Sequence, residues 1–190
     1  MLKDMPPNPA MLHFADCLLR LHQLITVGQG DDSAADAVRD EMDSVCHELT
    51  PDEDLVLRGL SADLYSIGQL AASSPAVNEA TLAAIKASEL AEDWPAVLGI
   101  LRDSKLALAS HYLQFMRGVC WAHLGQLEVA IAFLGDALRL APDEPTIKVW
   151  LLSVMIQAKR FDDAVDLASR NGFLALSSHF DAASGMQISN

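Results

Sequence analysis

A chain of 190 residues can bury a core without disulfides or metals, and 51% hydrophobic residues argue against disorder. Its 13 basic residues against 26 acidic ones leave a formal charge of −13, so no cationic stripe for nucleic acid is visible and anionic membrane surfaces are disfavoured. The same charge favours solubility and steers basic partners inward.

Cys17, Cys46 and Cys120 are odd in number and lie at no metal or redox spacing, so they read as small buried hydrophobes in a reducing compartment. Residues 1–10 lack the apolar core of a signal peptide. No stretch reaches the roughly 18 apolar residues of a membrane span, because Arg20 and His22 interrupt residues 17–27. A cytoplasmic location is expected.

Pro6, Pro7 and Pro9 predict an extended lead-in over residues 1–9. Met11, Phe14, Leu18, Leu21 and Ile25 then keep a helical stripe, and Ala35, Val38, Met42, Val45 and Leu49 keep a second. Gly28 and Gly30 with Asp31 and Asp32 break the chain between them, predicting an N-terminal helical hairpin over residues 10–49. Thr50, Pro51 and Glu53 form a capping box, with Asp52 and Asp54 suited to the positive end of a helix dipole. The helix that follows carries Leu57, Leu60, Leu64 and Ile67 and is assigned to residues 50–72 as a connecting element.

Beyond it the chain repeats. Ala96, Ala130 and Ala164 recur at a spacing of 34, each followed by Val97, Ile131 or Val165. Leu90, Leu124 and Ala158 precede them by six residues, and Ala84, Gly118 and Leu152 by twelve. Such a period marks a helix–turn–helix solenoid whose pairs share one core. Three pairs are expected over residues 77–178: 77–91 with 94–107, 109–124 with 127–140, and 144–158 with 161–171. The first turn is one residue short, because Asp93, Trp94 and Pro95 stand before Ala96. Residues 173–180 are expected to add a capping helix, and residues 181–190 to fray.

The central unit, with Gly118, Trp121, Leu124, Gly125, Ala130, Leu134, Ala137 and Pro142, resembles the tetratricopeptide repeat. The flanking units match it less fully. The resemblance implies one all-α domain, a right-handed superhelical stack of antiparallel hairpins, with about nine helices at ~34 residues per pair. It implies a protein-binding role as adaptor or scaffold, without catalysis. In that family the first helix of each pair lines a groove through its positions 2, 5, 9, 12 and 13. Here these are Asn78, Thr81, Ile85, Ser88 and Glu89; then Tyr112, Phe115, Val119, Ala122 and His123; then Thr146, Val149, Ser153, Ile156 and Gln157. A protein segment with apolar anchors is the implied ligand, held by Ile85, Tyr112, Phe115, Val119, Val149 and Ile156, with Asn78, His123 and Gln157 setting register. The same aromatics equally suit burial by the protein's own helices. A clamp for a terminal carboxylate needs Lys and Asn where Thr81, Ile85, Phe115 and Val119 stand, so it is not expected. Small acidic chaperones of type III secretion translocators offer an alternative of similar size and charge, and a homo-oligomeric structural protein another.

Other constellations carry little chemistry. His13 and Cys17 on the first helix and Cys46 and His47 near the end of the second, which an antiparallel hairpin brings together, make a zinc site conceivable, but the spacing fits no finger and packed thiols are the expectation. Residues 31–54 hold ten acidic side chains against Arg39 alone, which reads as a solvated face. Gly28 and Gly30 lack the rest of a phosphate loop, and no nucleophile elbow or zinc-protease motif occurs. No catalytic residue, cofactor or metal is expected.

Overall fold

A computed structural model describes residues 8–68, 79–102 and 108–170. Among these the chain forms nine α-helices and one 3-10 turn, with no strand. Asn78, the capping helix at 173–180 and the tail at 181–190 lie outside the described residues.

Helix α1 (Pro9–Thr26) starts earlier than the prolines predict. The Asn8 side chain accepts from the Ala10 N–H at 3.0 Å, and Pro9 sits in the first turn, where a missing N–H costs nothing. Gly28, at φ 79°, ends the helix in a left-handed conformation that a side chain would strain. Helix α2 (Ser33–Val45) packs back along α1 and tightens into a 3-10 turn at Cys46–Glu48. That change of winding takes Cys46 off the buried stripe. Contrary to the sequence expectation, its thiol is exposed, while Cys17 and Cys120 are buried.

Helix α3 (Pro51–Leu64) opens on the predicted capping box. The Thr50 hydroxyl accepts from the Glu53 N–H at 3.3 Å, and the Glu53 carboxylate accepts from the Thr50 N–H at 2.9 Å. Asn8 also donates to that carboxylate at 3.0 Å, tying the starts of α1 and α3 together. The helix stops at Leu64, short of residue 72, and turns through Gly68 at φ 80°.

Three helix pairs follow: α4 (Glu79–Leu90) with α5 (Trp94–Leu101), α6 (Ser110–His123) with α7 (Leu127–Leu140), and α8 (Pro145–Gln157) with α9 (Phe161–Arg170). Each turns through one left-handed residue: Glu92, Gly125 or Lys159. The next N–H then reaches back to the first helix: Asp93 to Ser88 and Gln126 to Trp121 at 2.9 Å, Arg160 to Met155 at 2.8 Å. This is one helix-ending motif used three times. The shortened first turn is visible as a slip in register. Glu92 precedes Ala96 by four residues, whereas Gly125 and Lys159 precede Ala130 and Ala164 by five. Asp93 caps α5 by accepting from the Ala96 N–H at 3.1 Å, and α5 ends at Leu101 rather than at 107.

Consecutive helices from α4 to α9 pack on one another, and α6 also touches α8. The N-terminal helices lie against the second helix of two pairs, α1 on α7 and α3 on α5. Trp121, Phe133, Leu57, Leu60, Leu98 and Leu134 are fully buried at these junctions. Gly118 explains the tight central pair: a Cβ there would lie 2.6 Å from Leu134 Cγ and 3.2 Å from the Ala130 carbonyl. Glycine permits the approach that any side chain would block. No helix among the described residues is long and apolar enough to cross a membrane.

Candidate functional site

At 3.6 residues per turn, α6 carries two opposed chemical faces. One holds Tyr112, Phe115, Val119, Ala122 and His123; the other holds Gln114, Arg117 and Trp121.

The first face is an aromatic cluster drawn from three helices. The His123 ring stacks on Trp94 of α5 with centroids 4.0 Å apart and planes 5° from parallel. Trp150 of α8 lies 5.9 Å from His123 and stands edge-on to Phe115 at 6.3 Å. Tyr112 continues the row 6.5 Å from Phe115. Beside the cluster, α8 turns its own predicted positions outward, and Val149 and Ile156 remain 56% and 53% exposed. Burial raises the Tyr112 hydroxyl above its ordinary value, and the Glu89 carboxylate raises it further. Burial lowers His123, with Glu92 opposing, so the ring stays neutral at physiological pH. Two carboxylates therefore border an apolar face.

The predicted ligand-contact residues divide by burial. Tyr112 and Phe115 are half-buried and pack partly on the core. His123, Val149, Ile156 and Gln157 are exposed, Gln157 donating to Ser153 one turn back at 3.3 Å. Ile85 and Val119 are buried, at 2% and 7% exposure, and present almost no surface to a ligand. Trp94 and Trp150 join the face although neither occupies one of the motif positions. The Asp-Trp-Pro turn and the neighbour of Val149 were the signals available for them.

The opposite face of α6 enters a polar seam. Arg117 Nη2 lies 2.8 Å from Asp63 Oδ1 of α3, and Arg102 Nε lies 3.0 Å from Asp63 Oδ2. Arg117 Nη1 donates to the Ser66 hydroxyl at 2.7 Å. Gln114 donates to the Ser66 carbonyl at 3.2 Å and to Asp136 of α7 at 3.0 Å. Asp136 also accepts from the Gly68 N–H at 3.2 Å and from Arg139 at 2.9 Å. Asp63, Gln114, Arg117 and Asp136 are all buried. Burial raises the Asp63 carboxyl, with both guanidiniums pulling against it, and burial lowers Arg117. Gly59 makes room for the arrangement, since a Cβ there would fall 1.8 Å from Arg102 Cζ. With Asp63 met by two guanidiniums and Asp136 by guanidinium and amide donors, the seam is a structural junction between α3 and the helix pairs.

The hairpin end holds a third group. His13 and Cys17 meet Glu41 of α2, while Cys46 and His47 stand apart from them. The exposed Cys46 thiol donates to the Asp43 carbonyl at 3.3 Å. Burial pushes the Cys17 thiol up to about 11, with Glu41 adding to the effect. Burial likewise pushes Cys120 up to about 12. Neither buried thiol is a nucleophile at neutral pH, because the thiolate is the reactive form.

No family model matches the chain, and no curated protein or solved structure matches it with significance.

Proposed function

We propose that the chain is a tetratricopeptide-like interaction module, its helix pairs stacked as a right-handed superhelix, that binds a protein segment across α6 and α8. The observation that carries this reading is the surface cluster of Trp94, His123, Trp150, Phe115 and Tyr112, continued by the exposed Val149 and Ile156. Aromatic anchors beside exposed aliphatic groups are what an interface hot spot is made of. The docking of α1 and α3 on α7 and α5 supports it too, because those helices occupy the far side of the pairs. Glu89 and Glu92 at the border favour a partner whose apolar anchors are flanked by basic residues. The face offers rings and aliphatic carbons rather than a paired nucleophile and base, which accords with binding and no turnover.

The test is selection of binding peptides from a random display library, followed by titration against wild type and a Val149→Asp, Ile156→Asp double variant. Both substitutions fall on exposed side chains, so the melting temperature should hold. Trp94 and Trp150 emission should shift on binding, and the double variant should lose about 2 kcal/mol of affinity or more. Peptides that bind both proteins equally would place the site elsewhere.

A further inference from the structure

We propose that His13, Cys17 and Glu41 form a three-ligand site for a divalent transition-metal ion, zinc foremost, that joins α1 to α2. The argument begins with spacing. His13 and Cys17 are one turn apart on α1, so both side chains lie on the same face, and the hairpin lays Glu41 of α2 against them. Cys17 Sγ is 3.9 Å from His13 Nε2 and 3.7 Å from Glu41 Oε2. His13 Nε2 and Glu41 Oε2 are 3.9 Å apart. With zinc bonds of about 2.0–2.3 Å, the edges of a ligand tetrahedron are roughly 3.3–3.6 Å. The three atoms thus form a near-equilateral triangle that a contraction of a few tenths of an ångström closes onto one ion.

The donor set fits the ion. Thiolate, imidazole and carboxylate are the ligand types zinc takes, and three of them leave a fourth position to water. Access is also suitable: Cys17 lies at the floor of the triangle, fully buried, while the His13 and Glu41 side chains are 45% and 39% exposed. The ion would replace the thiol proton of Cys17, as happens wherever a thiol coordinates.

Among the described residues Arg20 is the cation that competes for the site. Its Nη1 lies 2.7 Å from Glu41 Oε2 and its Nη2 lies 3.2 Å from Oε1. A metal on Oε2 displaces only the first contact. Nη2 can keep Oε1, holding the ligating carboxylate in place from outside the coordination shell. Asp16, 3.9 Å from Nη1, takes up the released guanidinium nitrogen. The site would staple the hairpin, so binding should raise its stability by mass action.

Zinc and cobalt titrations of the tag-free full chain test this. One equivalent of zinc is expected to bind and raise the melting temperature. Cobalt should give a thiolate-to-metal charge-transfer band. Binding should survive in a Cys46→Ser, His47→Ala variant and weaken about tenfold or more in His13→Ala, since even outer-shell partners of a metal cost that much. Cys17→Ser should abolish the cobalt band. Because Cys17 is buried and its variant can misfold, the exposed His13→Ala decides in that event. No stoichiometric binding, equal affinity in His13→Ala, or loss of binding in Cys46→Ser, His47→Ala overturns the proposal.

Discussion

The two faces of α6 invert the usual distribution of side chains. On one, Arg117 and Gln114 are buried beside Asp63 and Asp136; on the other, Phe115, Tyr112 and Trp150 keep part of their rings at the surface. Charged groups normally face water and large rings normally leave it. Each inversion has its own physical reason. In the seam, every carboxylate meets a guanidinium within 3.0 Å, so burial does not leave an unpaired charge. Such a pair supplies little net stability, because desolvation offsets most of the attraction, yet removing one member is costly. On the aromatic face Tyr112, Phe115 and Trp150 pack only partly on the core, and the ring area they keep at the surface can still be buried. One face of the helix therefore fixes where α3 docks, and the other carries the surface proposed for recognition.

The comparison can be broken most directly at Arg117. Arg117→Leu leaves Asp63 short of one of its two cations and the Ser66 hydroxyl with Gln114 in place of two donors. Urea unfolding should register a loss of about 3–5 kcal/mol; a loss under ~1 kcal/mol would mean that the seam is not desolvated as its packing implies. Gly59→Val comes next. Its side chain would occupy the guanidinium position of Arg102 and push it off Asp63, costing about 1–3 kcal/mol in the same assay. If Gly59→Val melts like wild type, Arg102 has found another route to the carboxylate. The smallest effect is expected at the exposed side chains of α8. Val149→Asp and Ile156→Asp should each change stability by no more than about 0.5 kcal/mol. A large loss there would show that α8 buries these side chains, and that the two faces differ less in cover than Val149 and Ile156 indicate.

Much of the architecture was legible beforehand. The capping box at Thr50, the Gly28 stop, the 34-residue period and the Leu124–Gly125 turn are all where periodicity and turn chemistry put them. The departures are also local in origin. Asn8 caps α1 early, Cys46 lies exposed in the 3-10 turn, and α3 ends at Leu64 in a turn that reaches Gly68. The face on α6 and α8 was legible in outline only. Motif counting placed Val119 and Ile85 beside Phe115, but a helix position says nothing about how deep its neighbours bury it. Trp94 and Trp150 fall outside the motif positions, and each reaches His123 only through the packing of a different helix on α6.

What the sequence determined by itself is the set of elements bounded by short-range interactions: caps, turns and apolar stripes, each made by residues within four or five places of one another. What only the tertiary structure decided is which face of each helix stays open. The seam joins Asp63 to Arg102 and Arg117, the ring cluster spans α5, α6 and α8, and Glu41 meets His13 and Cys17 across a hairpin. A stripe of apolar residues defines one angle around a helix axis. The partners at that angle come from distant parts of the chain, and their identity depends on how the helices pack.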